Sequence, residues 1–264
     1  MFGRQRAAAI VAEFLGTGIL TLVFLSIQRS NIGIPFFIAL GSGAVVAVAA
    51  FFFGDSSGAH LNPAVTIGLW TARKISSLVA LSYVIVQLLG AWAAYGIFRY
   101  FAGQSLQPIG GHFSAKVLLS EAIGAFVLAL AWGAVYFKKH DTTNRGLLLG
   151  GSYALAIIIA AAAGVGIGIA NPAVAFGIRA WGINGVMGWG TYALGPVLGA
   201  IIGVNLYALL FAPSSDQVIV SETVIVAESA SPSSRSTAKK TTTKKSTTKK
   251  STAKKSTSSN RRRR

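Results

Sequence analysis

Two asparagines stand in the middle of apolar stretches, Asn62 in GAHLNPAVTIG and Asn171 in GIANPAVAFG. Each is followed by proline and alanine (Pro63 and Ala64, Pro172 and Ala173), and the two motifs lie 109 residues apart. A carboxamide carries two N–H donors and one acceptor oxygen. It can hold the oxygen of a water or a hydroxyl, but it cannot act as an acid or base near neutral pH. Two carboxylates, Glu13 and Glu121, also fall inside apolar runs, 108 residues apart. A carboxylate in such a run is costly and needs donors around it. Residues 1–211 contain only four acidic residues, and the whole chain has three histidines and no cysteine. No nucleophile–base pair and no metal-ligand set can be assembled from them. The sequence therefore predicts no enzyme, no metal and no cofactor. Its chemistry is hydrogen bonding to something that passes.

Elements that could hold these groups follow from composition. The chain is 53% hydrophobic and 12% charged, against about 25% charged in soluble domains. A membrane helix needs about 20 mostly apolar residues. Six stretches qualify, near 7–27, 34–54, 78–101, 114–137, 146–166 and 189–211. The first, Ala7 to Ile27, exceeds the apolar core of a cleavable signal and reads as a first span. Two shorter runs, 62–71 and 171–181, each open on Asn-Pro. As helix they would cover about 15 Å, half a hydrocarbon core, and proline is well tolerated in a first helical turn.

The chain also repeats. AEFLGTGILTL from Ala12 matches SEAIGAFVLAL from Ser120, and QLLGAWAA from Gln87 matches PVLGAIIG from Pro196. With three spans per half, the second half enters the membrane upside down, as in inverted-repeat transporters. The expected fold is an all-α membrane protein, six transmembrane helices plus two re-entrant half-helices in an inverted repeat. Its repeats run over about 7–101 and 114–211.

Both termini then lie on one side. That side collects Arg4, Arg6, Arg73, Lys74, Lys138, Lys139, Arg145 and the 13 basic residues beyond 211; the other has Arg29, Arg99, Lys116 and Arg179. The imbalance places the termini in the cytoplasm of a multi-pass protein of the cell membrane. The segment 212–264 holds 13 of the 24 basic residues and no aromatic residue. It cannot bury apolar surface and reads as a disordered tail. A solvated segment is the first reading; its charge also suits anionic lipid headgroups, and less readily nucleic acid, since nothing in it could read bases.

Broken helices at membrane depth are tolerated only inside protein or along a hydrated cavity. If the half-helices enter from opposite faces, their positive ends and their asparagines meet at the centre. Carbonyls of Gly58, Ala59, His60, Leu61, Ile169 and Ala170 would supply acceptors along the same file. Glu13 and Glu121 would accept hydrogen bonds from these unwound loops and fix them.

The paired Asn-Pro-Ala motifs, the matched AEFLGT and SEAIGA glutamates and the LLGA and VLGA spans resemble the aquaporin, or major intrinsic protein, family over residues 7–211. The resemblance implies a passive channel for water that would also admit small uncharged solutes, one pore per subunit, in a homotetramer. It also implies a constriction outside the motifs, at Ser42, Ile159, Gly168 and Val174 by spacing. Most of the family has arginine where this chain has Val174, so the constriction should be uncharged and wider at one corner. Arg179, five residues on, is about 140° off that helix face and should point elsewhere. Two alternatives stand beside the water channel: a glycerol-facilitator-like channel, suggested by the first motif but not the second, and a non-conducting structural homologue, suggested by the apolar constriction.

Overall fold

The computed structural model describes residues 2–30, 35–103, 113–138, 140–163, 167–181 and 188–213. Among them all regular structure is helical. In chain order the helices are α1 (Phe2–Arg29), α2 (Pro35–Phe53), α3 (Pro63–Thr71), α4 (Ser77–Ala102), α5 (Ala115–Phe137), α6 (Thr142–Ala160), α7 (Pro172–Gly177) and α8 (Gly195–Leu210). A 3₁₀ turn, Ala161–Ala163, extends α6. A π turn, Gly190–Leu194, leads into α8. The π turn has a cause in sequence: Pro196 has no N–H to give the carbonyl four residues back, and the helix widens there. The chain divides into two units, Met1–Gln217 and Val218–Arg264. The second, with nearly all of the basic tail, lies outside the described residues.

Six helices are long and apolar enough to span a bilayer among the described residues: α1, α2, α4, α5, α6 with its 3₁₀ turn, and α8 with its π turn. The other two are short. The first, α3, has nine residues and α7 has six, so they rise about 14 and 9 Å. The sequence reading carried the second short run to residue 181, but α7 stops at Gly177. The stop has the same form as in α3. Arg179 adopts a left-handed φ of +63° and Arg73 one of +59°. The next residue's N–H then reaches back to the helix: Ala180 to the carbonyl of Ala175 at 2.8 Å, Lys74 to that of Leu69 at 2.9 Å. This closure normally uses glycine. Here arginine occupies it in both halves.

Close helix contacts explain the repeated small residues. A Cβ on Gly90 of α4 would lie 2.3 Å from the carbonyl oxygen of Phe14 in α1. Its counterpart Gly199 of α8 would put one 1.9 Å from that of Ala122 in α5. The same crossing thus occurs in each half, which is why LLGA and VLGA pair with the glutamate-bearing helices. The half-helices are exchanged between halves. Gly68 of α3 sits against the carbonyl of Ala200 in α8 (2.8 Å to a built Cβ), and Gly177 of α7 against that of Ala91 in α4 (2.9 Å). Finally Gly43 of α2 and Gly150 of α6 face each other's carbonyls, at 2.6 and 2.5 Å to a built Cβ. These mutual contacts mark the pseudo-twofold axis. In lipid, helices associate through such small-residue packing. The large apolar side chains left outside, among them Phe52, Leu81, Trp92, Leu155 and Ile202, form a surface suited to acyl chains.

Candidate functional site

At the junction of the two half-helices each asparagine performs two tasks. Asn62 and Asn171 are the N-caps of α3 and α7, with extended backbone (φ −154° and −149°). The Oδ1 of Asn62 accepts from Ala64 N–H at 2.9 Å; that of Asn171 accepts from Ala173 and Val174 N–H at 3.0 and 3.3 Å. Capping orients each amide nitrogen toward the opposite loop. Asn62 Nδ2 donates to the Ala170 carbonyl at 2.9 Å, and Asn171 Nδ2 donates to the Leu61 carbonyl at 2.8 Å. The two loops are therefore cross-latched, each by the other's asparagine. Both side chains are fully buried. Two of the six carbonyls assigned to the file from sequence, those of Leu61 and Ala170, hold this latch.

The loops that reach the junction are strained and anchored. Gly58, Ala59, Leu61 and Ala170 all have positive φ, which for the non-glycine residues costs about 1–3 kcal/mol each. Glu13 of α1 accepts His60 N–H at 2.9 Å on one oxygen and Leu61 N–H at 2.7 Å on the other. Glu121 of α5 accepts Ile169 N–H at 2.9 Å and Ala170 N–H at 2.6 Å. Buried carboxylates thus satisfy N–H groups that the unwound backbone would otherwise leave without partners. The halves differ in side-chain partners. Gln87 of α4 donates to Glu13 at 2.8 Å, and Ser57 also hydrogen-bonds that carboxylate; the repeat places Pro196 at the position of Gln87, and Glu121 has no side-chain donor among the described residues.

On the termini side of the junction lies a group that sequence reasoning missed. Gln87 Nε2 also donates to the Thr66 hydroxyl at 3.0 Å, and Thr66 donates to the Asn62 carbonyl at 3.0 Å. The Thr66 hydroxyl hydrogen is then used, so His60 Nδ1, 3.1 Å away, is the donor to it. His60 Nε2 is left to accept from the Tyr136 hydroxyl at 2.6 Å. Sequence reasoning assigned His60 only a backbone role; its ring is fully buried and bonded at both nitrogens. A tyrosine in an apolar span was the available signal, because a buried hydroxyl must find a partner. The same signal marks Tyr153 of α6, whose hydroxyl lies 3.2 Å from Asn171 Nδ2. Asp55, also on this side, pairs with Arg145 at 2.8 Å while remaining 86% exposed.

The four constriction residues are placed as follows. Ser42 and Val174 are fully buried and Gly168 is buried. The Ser42 hydroxyl has no hydrogen-bond partner among the described residues. Gly168 packs against α6, where a built Cβ would lie 2.2 Å from the Ile157 carbonyl. Ile159 is half-buried; the α6 atoms nearest a Cβ built on Gly168 are the Ile157 carbonyl oxygen and the Ala160 Cβ. Arg179 turns to α4, its guanidinium 3.4 Å from the Tyr95 hydroxyl and over its ring. Among the described residues no group of three His, Cys, Asp or Glu could hold a metal ion.

An inverted repeat of six spans and two exchanged half-helices, latched by asparagines, is the build of a multi-pass membrane channel. The model of the family described as Major intrinsic protein matches residues 4–207, and the chain belongs to that family. It is 30% identical to Aquaporin AqpM of Methanothermobacter marburgensis over 240 residues, covering 76% of this chain and 96% of that protein. It is 35% identical to human Aquaporin-1 over 237 residues, 80% of this chain and 84% of that protein. Among solved structures, the X-ray structure of the aquaglyceroporin from Plasmodium falciparum superposes with a TM-score of 0.65 at 21% identity, covering 79% of this chain and 98% of that one. The protein is an integral membrane channel and not an enzyme.

Proposed function

We propose that the channel passes water and small uncharged solutes along a file through the junction of α3 and α7, and excludes ions there. The observation that carries this reading is the reciprocal latch of Asn62 and Asn171. It holds two helix N-termini head to head with carboxamide nitrogens between them, an arrangement hostile to cations and suited to a neutral oxygen. The first positive end belongs to a nine-residue helix and the second to a six-residue one, so α3 contributes more. The curated relatives named above, both called aquaporins, support the same permeant class. Cation exclusion is reinforced at the mouth opposite the termini, where Arg29, Arg99, Lys116 and Arg179 face no acidic residue. The four acids of residues 1–211 are Glu13 and Glu121 in the interior and Asp55 and Asp141 at the termini side.

The constriction comprises Ser42, Ile159, Gly168 and Val174. It is uncharged, and the Ser42 hydroxyl, without a partner among the described residues, offers one donor to a permeant. Residues 1–211 form the channel as a homotetramer in the cell membrane, and 212–264 form a cytoplasmic tail drawn to anionic headgroups. Osmotic swelling of proteoliposomes tests the reading, wild type against Val174→Arg. The arginine should narrow uptake of glycerol-sized solutes and spare water. Glycerol uptake faster than water flow would favour the facilitator reading. Vesicles as tight as protein-free ones, in water and in every solute, would leave a sealed structural homologue, the reading favoured by the full burial of Val174.

A further inference from the structure

The two asparagines are equivalent by repeat, yet their hydrogen-bond accounts differ. Asn62 gives one amide hydrogen to the Ala170 carbonyl, and its second has no partner among the described residues. Asn171 gives one to the Leu61 carbonyl and the second to the Tyr153 hydroxyl. Its oxygen is taken by Ala173 and Val174. Every hydrogen-bonding position of the Asn171 side chain is filled from within the protein.

Tyr153 stands eleven residues into α6, about 17 Å from its start, which is mid-span. Its side chain is 1% exposed. The mutual contact of Gly43 and Gly150 sets the pairing of α2 with α6 about the pseudo-twofold, and that pairing makes Val46 the counterpart of Tyr153. Val46 is equally buried, also at 1%, but has no hydroxyl to offer Asn62. The asymmetry of the asparagines thus follows from one residue.

We propose that Tyr153 is the midplane gate of this channel. Its hydroxyl takes the place on Asn171 that a permeating oxygen would occupy, and its ring fills the file beside the latch. The residue decides both how often the file is open and how wide it is. The proposal rests on the channel reading above. A water reaching Asn171 must displace the phenol, which accepts the amide hydrogen and keeps its own O–H to donate. Conduction then requires rotation of the Tyr153 side chain, and the energy of that rotation enters the temperature dependence of flow. On the other side, Asn62 keeps an N–H available to the passing solute without any such displacement.

The test is per-channel water permeability by stopped-flow light scattering on proteoliposomes. The variants are Tyr153→Phe, Tyr153→Ala and the lipid-facing control Leu155→Ala, each at measured protein density. Tyr153→Phe keeps the ring and removes the bond to Asn171; permeability should rise about fivefold, the factor one neutral hydrogen bond is worth. Tyr153→Ala should raise it more than tenfold and lower the activation energy of flow, while Leu155→Ala stays at wild type. Permeability of Tyr153→Phe and Tyr153→Ala equal to or below a conducting wild type would overturn the gate and leave the channel standing. If Tyr153→Ala fails to fold, Tyr153→Phe decides by the same criterion. Vesicles as tight as protein-free ones for wild type and all variants would overturn both readings.

Discussion

Replacing Glu121 by glutamine tests whether the carboxylates hold the loops. Both oxygens of Glu121 accept a backbone N–H, from Ile169 and Ala170. Glutamine has one acceptor oxygen, so its NH₂ must face one of these donors. A buried donor left without an acceptor costs about 1–3 kcal/mol, and turning the other bond from charged to neutral costs about 1 kcal/mol more. The net loss should be about 2–4 kcal/mol. For a chain of this size each kcal/mol lowers Tm by about 2–4 °C, giving a drop on the order of 5–15 °C. Tryptophan fluorescence of detergent-solubilised protein on heating would measure it, since all five tryptophans lie in the channel unit. Glu13→Gln should fall no further, although Glu13 has an additional donor. The Gln87 Oε1 has no partner among the described residues, and rotating that amide lets it accept from the new NH₂. A Tm for Glu121→Gln within about 2 °C of wild type would show that the loops are held by something else.

Other outcomes follow from particular contacts. Gly199→Ala should lower Tm and folded yield sharply, because a Cβ there meets the Ala122 carbonyl at 1.9 Å; Gly151→Ala on α6, with nothing within 4 Å, should be neutral or slightly stabilising. Arg73→Gly should stabilise by about 1 kcal/mol, relieving the left-handed position that closes α3, as read from the same melt. Asp141 caps α6, and its bonds to Asn144, led by the backbone N–H, hold its carboxyl below the ordinary carboxylate value. A depressed value means that the stabilisation is complete above about pH 4 and is lost as pH falls through the folded value. Amide exchange over residues 142–145, corrected for intrinsic rates, should therefore be flat from pH 5 to 8 and rise only in stronger acid.

The spans, the two broken segments and the repeat were legible because lipid imposes them locally. A run of apolar residues, an Asn-Pro break and a recurring glycine each carry their meaning within a few positions. The matched glycines Gly90 and Gly199 were visible as LLGA and VLGA before their contacts were known. The length of α7 was not legible, since it depends on Arg179 accepting a left-handed backbone, which its residue type disfavours.

What the sequence determined alone is a membrane chain in two inverted halves, with one asparagine and one glutamate apiece at matching positions. Only the tertiary structure decided where their hydrogen bonds go. The capping oxygen of each asparagine fixes the direction of its own amide nitrogen, but the carbonyl it meets belongs to the other half, more than 100 residues away. Tyr153 and Tyr136 likewise acquire their roles from helices that pack beside the loops. A hydroxyl in an apolar helix announces that it needs a partner, and the packing of distant segments chooses which.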